Sequence, residues 1–486
     1  MQPNIVLIVL DTARYDDARG SVGGASIMPT VDALAAEGAE YTNVSSAAPW
    51  TLPSHASLFT GMYPSKHGAT SLHKRLAEEH VRLPEALHRA GYETVGVSNN
   101  TWISGEFGFE RGFDTFRRTW QYVQSATDLG RIARTYEGRA KLRALASELL
   151  SGNPIVNVVN ALYGRFGRKR HDSGAKQTNA FVADWASTRD TERPFFLFIN
   201  YLEPHLEYRP PRQYAEQYLP NDVTYEAAMS IPQNAWDYIA GDLGLSEHDF
   251  EVLRDLYRAE LRYLDEKLAE LRETINANTD RDTVFIVTAD HGENIGSHGL
   301  MDHQYCLYET LLHVPLVITG GPFTGGAVVD DPVQLVDLVP TLLDITDTEA
   351  PLLTAQSQGH SFHPEEPHIR THSIAEYLGP QPSMSALESR VGTLSESVLR
   401  YDRKLRAIRR DGTKLIRGSD GTTELYDLNS DPDETSDIST TQPDDVDRLE
   451  QDLDTWLGSF SQAVTDGDVD MEETTRRRLE ELGYLQ

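Results

Sequence analysis

Short apolar runs alternate with amphipathic segments along most of the chain. The apolar runs are six to eight residues long, and they cover residues 4–10, 92–97, 194–201, 283–288 and 314–319. Apolar positions at helical spacing lie between them, at residues 29–37, 83–89, 245–277 and 335–346. Continuous apolar strands that alternate with helices are typical of a parallel sheet covered on both faces. We therefore predict an α/β fold, with a large three-layer α/β/α domain around a mainly parallel mixed sheet.

Residues 120–176 depart from this alternation. They are rich in Arg and Ala, follow a helical pattern and contain no strand signal. We interpret them as a helical insertion that either shapes a substrate cleft or serves packing and oligomerisation.

The pattern changes again after about residue 385. Two short strands are predicted at 404–410 and 413–417, joined by Asp411-Gly412, a pair typical of hairpin turns. An amphipathic segment follows at 444–457. The predicted organisation is an α/β domain over 1–384, followed over 385–486 by a small α+β subdomain with an antiparallel sheet and a terminal helix.

The net charge of the chain limits the kinds of molecule that it is expected to bind. The chain has 75 acidic and 44 basic residues, for a net charge of −31, and only 8 of the basic residues are Lys. A salt-rich (halophilic) cytoplasm favours such a surface, because salt screens the self-repulsion; an ordinary acidic enzyme is the alternative. With no basic stripe to displace counterions, we expect no nucleic-acid partner. The single cysteine, Cys306, excludes an intrachain disulfide framework and a multi-cysteine zinc site.

The start of the chain bears on its location. Its apolar run over residues 5–10 is followed at once by Asp11 and is too short for a membrane span or a signal-peptide core. We therefore expect a cytoplasmic protein with no membrane span.

Candidate metal ligands follow two of the predicted strands. Asp11 comes directly after the first strand, and Asp290-His291 comes directly after the apolar run that ends near Thr288. Ligands of α/β proteins bind at the carboxyl ends of strands, and carboxylate and imidazole groups suit a divalent cation. Taken singly, Asp11 also reads as a helix N-cap and Asp-His-Gly as a plain turn.

Candidate catalytic residues occur at other boundaries between elements. Thr51 opens the helical pattern that ends at Gly61, and a helix N-terminus favours an anion and an alkoxide; a capping role is the alternative. His205 follows the strand that ends near Tyr201, and His303 lies beyond the turn at His298, although a lone histidine is more often structural. Four strand ends that each carry such a residue predict one active site.

These motifs together resemble the sulfatases, within the alkaline-phosphatase-like superfamily, over nearly the whole chain. The matching stretches are Thr51-Leu-Pro-Ser-His55 through Thr60-Gly61, Tyr63-Pro64, His67-Gly68, Glu203-Pro-His205, Asp290-His-Gly-Glu293, Tyr308-Glu309 and Thr423-Glu-Leu-Tyr-Asp-Leu428. The resemblance implies a metal-dependent ester hydrolase, with Asp11, Thr51, Asp290 and His291 on the metal.

The chain departs from the family pattern at the reactive positions. Thr51 stands where sulfatases carry the Cys or Ser that becomes formylglycine, so it would attack as its own alkoxide. His55 replaces the motif arginine, Thr12 replaces the second aspartate of the usual pair, and the lysine expected near His303 is missing. Within the superfamily, a metal-bound threonine resembles phosphodiesterases, phosphonate-ester hydrolases and lipid-head-group phosphotransferases.

The expected mechanism uses one divalent cation, Ca, Mn or Zn, to activate Thr51. His55, His205 and His303 are the further catalytic candidates, with His205 or His303 protonating the leaving alcohol. A second ion at His205 and His303 is not favoured, since no third carboxylate is apparent there.

We expect a hydrolase of sulfate or phosphate esters that acts through a covalent Thr51 intermediate. The alternatives are a phosphodiesterase or phosphoryl (head-group) transferase of the same superfamily, and a non-catalytic metal-binding homologue. The expected substrate is a small-molecule, glycan or lipid-precursor ester, and an oligomer is compatible with the sequence.

Overall fold

A central eight-stranded sheet organises the large domain. The computed structural model describes residues 2–119 and 172–463. In chain order the strands of this sheet are β1 (Asn4–Leu10), β2 (Ala39–Tyr41), β3 (Glu93–Ser98), β4 (Thr115–Arg118), β5 (Phe195–Tyr201), β6 (Thr283–Ala289), β7 (Leu316–Thr319) and β8 (Ala327–Val329). Their spatial order is β8-β2-β7-β6-β1-β5-β3-β4.

The sheet is parallel except at β7. Strand β1 lies in the middle, with Leu10 in register with Tyr201 of β5 and Ala289 of β6. Strand β7 runs antiparallel to both of its neighbours, β6 and β2. Strands β1 and β5 are buried along their whole length, as expected for strands with helices on both faces.

The helices pack on the sheet in two groups. Glu247–Ala277 contacts both Pro29–Glu37 and Ala175–Thr188, and Thr51–Thr60 contacts Leu83–Arg89 and Leu338–Ile345. The other α-helices are Tyr15–Ala18, Pro64–His67, Arg212–Ala215, Tyr225–Met229, Ala235–Ala240, Glu309–Leu312, Pro351–Gln356, Met384–Val391, Glu396–Leu399 and Pro443–Leu457.

A second, antiparallel sheet forms the C-terminal part. It contains β9 (Ser373–Tyr377), β10 (Leu405–Arg410), β11 (Thr413–Gly418) and β12 (Thr423–Asp427) in that spatial order. Asp411 and Gly412 form the β10–β11 turn, and both have positive φ angles, as the hairpin pattern requires. The amphipathic helix Pro443–Leu457 packs on this sheet.

The predicted fold class is confirmed by this arrangement. Each predicted strand of the large domain is present within two residues of its predicted bounds, and Glu247–Ala277 closely matches its predicted range. The short strands β2, β4 and β8 were not predicted, because edge and near-edge strands of three or four residues carry little apolar pattern.

Some sequence predictions are not decided by the fold. The predicted insertion over 120–176 lies outside the described residues except for 172–176, where the helix Ala175–Thr188 begins. The boundary at 384/385 stays a prediction; β9 lies before it and already belongs to the second sheet. Among the described helices, none is long and apolar enough to cross a membrane.

A buried ion cluster joins the C-terminal sheet to the large domain. Lys414 of β11 is 1% exposed, and its Nζ lies 2.8 Å from Glu309 Oε1 and 2.7 Å from Glu434 Oε1. Glu309 begins the short helix that follows the His298–His303 segment. A buried cation between two carboxylates is sensitive to loss of one partner, because the remaining charges stay desolvated.

We expect Lys414→Ala to lower the free energy of unfolding by about 3–5 kcal/mol, since Glu434 would remain buried without its cation, while Glu309 would keep its ion pair with Arg409 but lose the one with Lys414. Urea unfolding followed by circular dichroism measures this change. The matched control is Arg417→Ala on the same strand, whose ion pair with Asp454 is largely exposed; it should change stability by about 0–1 kcal/mol. Equal effects of the two substitutions would contradict an anchoring role for Lys414.

Candidate active site

The carboxyl ends of neighbouring parallel strands meet at one edge of the sheet. Asp11 follows β1, Asp290 follows β6, and Asn100 lies just beyond β3. Asp11, Asp290 and Asn100 are all fully buried. Because β1 lies between β5 and β6, residues that are far apart in the chain share one small volume.

The helix Thr51–Thr60 brings Thr51 to the same edge. Trp50 precedes it in extended conformation, and Gly61 ends it with a left-handed φ of 68°. All ten of its residues are buried. Ser54 Oγ donates to the Asp290 carbonyl at 2.7 Å, which ties the first turn of the helix to the end of β6.

Three of the predicted metal ligands form a tight cluster. The ligand atoms of Asp11, Asp290 and His291 lie within 4.8 Å of one another. Thr51 Oγ1 lies 3.4 Å from His291 Nε2 and 3.4 Å from Asn100 Nδ2. The fold therefore brings the predicted nucleophile and the three predicted ligands together.

Hydrogen bonds orient each ligand. His291 Nδ1 donates to the Gly292 carbonyl at 2.9 Å, so Nε2 keeps its lone pair toward Thr51 and Asp290. Asp11 Oδ2 accepts from Asn100 Nδ2 at 2.6 Å. The turn after His291 requires glycine, because a Cβ on Gly292 would meet the Thr310 carbonyl oxygen at 2.1 Å.

The Thr12 backbone completes the orientation of Asp290. Thr12 has a φ of 63°, uncommon for a β-branched residue, and its N–H donates to Asp290 Oδ1 at 3.2 Å. The His291 N–H donates to the same oxygen at 3.0 Å. Asp290 Oδ1 is thus saturated, and Oδ2 is the oxygen available to a ligand.

The electrostatics of this cluster favour the binding of a cation. Burial raises the pKa of Asp11 to about 6 and, together with the charge of Asp11, raises the pKa of Asp290 well above its usual value. Burial lowers the pKa of His291 far below its usual value, so this ring is neutral and its Nε2 could serve as a metal ligand. Two buried carboxylates side by side are unfavourable unless a positive charge lies between them.

The donor set fits a divalent cation. Asp11 Oδ1 and Asp290 Oδ2 are buried and accept no hydrogen bond from the residues that the structure describes. These two oxygens, His291 Nε2 and Thr51 Oγ1 form a mixed oxygen and imidazole set, which suits Mn²⁺ or Zn²⁺ and also Ca²⁺.

His55 lies behind Thr51. Its Nδ1 is 3.0 Å from the Thr51 carbonyl oxygen and 3.5 Å from Asp290 Oδ2. Its ring packs edge-on against Phe198 and Phe109. Burial lowers the pKa of His55 to about 4, so it is neutral at pH 7. His55 contacts the nucleophile through the backbone, and its catalytic assignment stays a prediction.

The other two predicted histidines adjoin the cluster. The His303 ring centroid lies 4.5 Å from that of His291 and 5.2 Å from that of His205. His205 Nδ1 donates to the Leu206 carbonyl at 2.5 Å, which leaves Nε2 as the nitrogen that can exchange a proton. All three rings are buried.

The sequence patterns did not identify two carboxylates that lie next to His303. Glu293 and Asp302 form a second group with His303, whose ligand atoms also lie within 4.8 Å of one another. The expectation that no carboxylate lies near His303 is therefore wrong. The signals were present, because Glu293 ends the Asp-His-Gly-Glu motif and Asp302 directly precedes His303. Asn100 was also missed, although it follows a predicted strand.

Comparison with known proteins identifies the family of this chain. A family model described as Sulfatase matches residues 3–348. The chain belongs to the sulfatase family. Arylsulfatase K of Rattus norvegicus is 23% identical, with 93% of this chain and 77% of that protein covered. Choline-sulfatase of Rhizobium meliloti is 24% identical, with 92% and 84% covered.

Solved structures share the fold. A 2-O GAG sulfatase superposes with a TM-score of 0.65 at 17% identity, covering 96% of this sulfatase-family chain and 95% of that one. Phosphonate monoester hydrolase of Agrobacterium radiobacter superposes with a TM-score of 0.64 at 20% identity, covering 94% and 95%. At these identities the likeness establishes the architecture.

We expect Asp290→Asn to stabilise the protein in chelator at pH 8 by about 1–3 kcal/mol, because it removes one of two adjacent buried charges. With Mn²⁺ added, the order should reverse, since the wild type gains more from binding the ion. Thermal unfolding with and without Mn²⁺ measures both effects. The exposed control Asp184→Asn should show neither, and a variant that is less stable than the wild type in chelator would contradict the charge argument.

Proposed function

We propose that this sulfatase-family protein is a metal-dependent hydrolase of sulfate or phosphate esters whose nucleophile is Thr51. The observation that carries the proposal is the position of Thr51 Oγ1, at the first residue of a buried helix and 3.4 Å from His291 Nε2. A threonine that served only as a helix cap would not need two carboxylates and an imidazole beside its hydroxyl.

Asp11, Asp290 and His291 would hold the cation together with Thr51 Oγ1. When bound, a divalent cation lowers the pKa of the threonine hydroxyl and neutralises charge on the ester. Asn100 Nδ2, just beyond the carboxyl end of β3, supports the same oxygen at 3.4 Å. The helix N-terminus adds partial positive charge at the point of attack.

Thr51 Oγ1, whose proton passes to solvent on activation, attacks the sulfur or phosphorus of the ester in line with the leaving group. A new Oγ1–S or Oγ1–P bond forms, and the bond to the leaving alcohol oxygen breaks with its electron pair. His205 Nε2 donates a proton to that oxygen, because the hydrogen bond to Leu206 holds Nδ1–H. Water then attacks the same sulfur or phosphorus atom and gives one proton to His205 Nε2, while the bond to Oγ1 breaks with its electron pair and Thr51 regains a proton from solvent.

A second candidate is phosphodiester hydrolysis or phosphoryl transfer. The Thr51 side chain has a single hydroxyl, so the covalent ester can be released only by attack at its sulfur or phosphorus. A hydrated formylglycine, which the family resemblance implies for sulfatases, has a second hydroxyl on the same carbon. The threonine favours phosphorus chemistry, in which water or an acceptor alcohol displaces the enzyme oxygen.

The substrate class we propose is a glycan, small-molecule or lipid-precursor ester. A similar structure is a 2-O GAG sulfatase, and another was solved with D-glucosamine-2-N,6-O-disulfate as its substrate. The similarity to these two structures supports an ester on a sugar as the first substrate to test.

We expect Thr51→Ala to lower kcat/KM at least about 10³-fold, while Thr51→Ser keeps measurable turnover because it retains a hydroxyl. The assay compares aryl sulfate, aryl phosphate and bis-aryl phosphodiester in molar salt, with Ca²⁺, Mn²⁺ or Zn²⁺. Rapid acid quenching and mass spectrometry should find a sulfo or phospho group on the peptide that contains Thr51.

Thr60→Ala is the matched control for Thr51. Thr60 lies on the same helix, and its Oγ1 donates to the Ala56 carbonyl at 2.6 Å. This variant should keep turnover within about threefold of the wild type, as is usual for a group outside the reaction. Turnover that survives Thr51→Ala would exclude Thr51 as the nucleophile, and the substrate with the largest loss identifies sulfur or phosphorus as the reacting atom.

We expect His205→Ala to discriminate between leaving groups. An alkyl or sugar ester needs a proton on its leaving oxygen, so its kcat/KM should fall about 10²–10⁴-fold. A 4-nitrophenyl ester leaves without help and should lose much less. Kinetics with matched alkyl and aryl esters measure the difference, with the exposed His248→Ala as control; equal losses for both esters would assign His205 a role other than proton donor.

A further inference from the structure

The group formed by Glu293, Asp302 and His303 is the second candidate ligand set of the described chain. All three residues are buried, and their ligand atoms lie within 4.8 Å of one another. Asp302 Oδ1 accepts from the His303 N–H at 2.7 Å, and Oδ2 accepts from Gln304 Nε2 at 2.7 Å. Asp302 is held in place with a φ of 70°, a left-handed conformation that is uncommon outside glycine.

Glu293 provides the independent sign of a ligand. Its side chain is fully buried, and no donor of the residues described reaches either carboxylate oxygen with hydrogen-bonding geometry, although the Tyr208 hydroxyl and the His303 ring lie near them. His303 Nδ1 lies 3.6 Å from Glu293 Oε1, which exceeds hydrogen-bonding distance. A carboxylate without partners in the protein interior is costly unless a positive charge accompanies it.

The negative charge of the pocket that contains both ligand sets also favours a second cation. Asp11, Asp290, Glu293 and Asp302 are four buried carboxylates, and none of them pairs with a Lys or Arg of the described chain. One divalent cation balances Asp11 and Asp290. The basic groups that face them are then His303 and, for Asp302, also His205, in a pocket that must admit an anionic ester.

We propose that Glu293, Asp302 and His303 hold a second divalent cation beside the first. Two carboxylates and one imidazole suit Mn²⁺ or Zn²⁺ better than Ca²⁺. The contact of 2.5 Å between His303 Nδ1 and Asp302 Oδ1 would lengthen on binding, because two ligands of one ion stand roughly 3 Å apart.

The second ion deepens the proposed function, on which it rests only for the neighbouring cation at Asp11, Asp290 and His291. The His303 and His291 ring centroids are 4.5 Å apart, so the two ligand sets are neighbours. Paired cations about 3.5–4 Å apart are common in enzymes that displace alcohols from phosphorus. A second positive charge would also replace the lysine that the family resemblance leads one to expect near His303.

The test is the number of Mn²⁺ ions bound per full-length chain. Chelated protein is loaded with excess Mn²⁺, freed of unbound ion by gel filtration, and analysed by elemental analysis and electron paramagnetic resonance. We expect two ions in the wild type, with the exchange-coupled spectrum of a close pair. Glu293→Gln and Asp302→Asn should each bind one ion and give an uncoupled spectrum.

Two controls make the count specific. Glu203→Gln alters another buried glutamate, whose Oε1 accepts from the Ser173 N–H at 2.8 Å, and it should keep two ions. Near-ultraviolet circular dichroism must show that each variant is folded; asparagine at 302 tolerates the left-handed backbone well. Melting in chelator provides a second readout, because Glu293→Gln should not destabilise the metal-free protein while it abolishes part of the Mn²⁺-induced gain.

One ion in the wild type would overturn the proposal. So would two ions that persist in both Glu293→Gln and Asp302→Asn, because the second site would then lie elsewhere. The count is separate from the nucleophile assignment: a wild type that binds two ions and forms no covalent Thr51 ester would refute the proposed mechanism and leave the second site standing.

Discussion

The arrangement of the active site depends on two adjacent carboxylates that the fold buries. Asp11 and Asp290 are fully buried at the ends of adjacent strands, with one oxygen of each left without a hydrogen bond from the described residues. Burial and mutual repulsion raise both pKa values. Such a pair persists only where the surrounding fold is stable enough to bear its cost, and here the apolar strands β1 and β6 supply that stability.

The same constraint explains how Thr51 is held. The helix that begins at Thr51 is buried on every side, and Phe59 packs edge-on against Phe198 of β5. Ser46 and Ser54 both donate to the Asp290 carbonyl, at 2.6 and 2.7 Å. The helix start and the end of β6 therefore cannot move independently. A hydroxyl placed this rigidly loses little entropy when it reacts, which favours a catalytic role over simple capping.

The residues at strand ends show which parts of the site can be predicted from sequence patterns. Asp11, Asp290 and His291 were predictable because each directly follows a strong apolar run, and Thr51 because it opens a helix closed by glycine. Asn100 also follows a clear apolar strand, but an amide carries no charge, so this residue type alone does not indicate a metal or catalytic site. Glu293 and Asp302 were missed because they lie beside or within a hairpin of two-residue strands, Asn294–Ile295 and Met301–Asp302, which carries no apolar pattern that would predict burial. The direction of β7 was not predictable either, since an apolar run reads the same in a parallel and an antiparallel strand.

By itself the sequence determined the chain order of the main strands and helices, the mainly parallel character of the sheet and the identity of the main candidate ligands. These properties depend on local periodicity and on which residue directly follows a strand. A single stretch of chain contains both kinds of information. Only the tertiary structure decided that Thr51 lies 3.4 Å from His291, and that Glu293, Asp302 and His303 form a second ligand set. Such contacts depend on which strands become neighbours and on how much water is excluded between them, and both are properties of the packed chain as a whole.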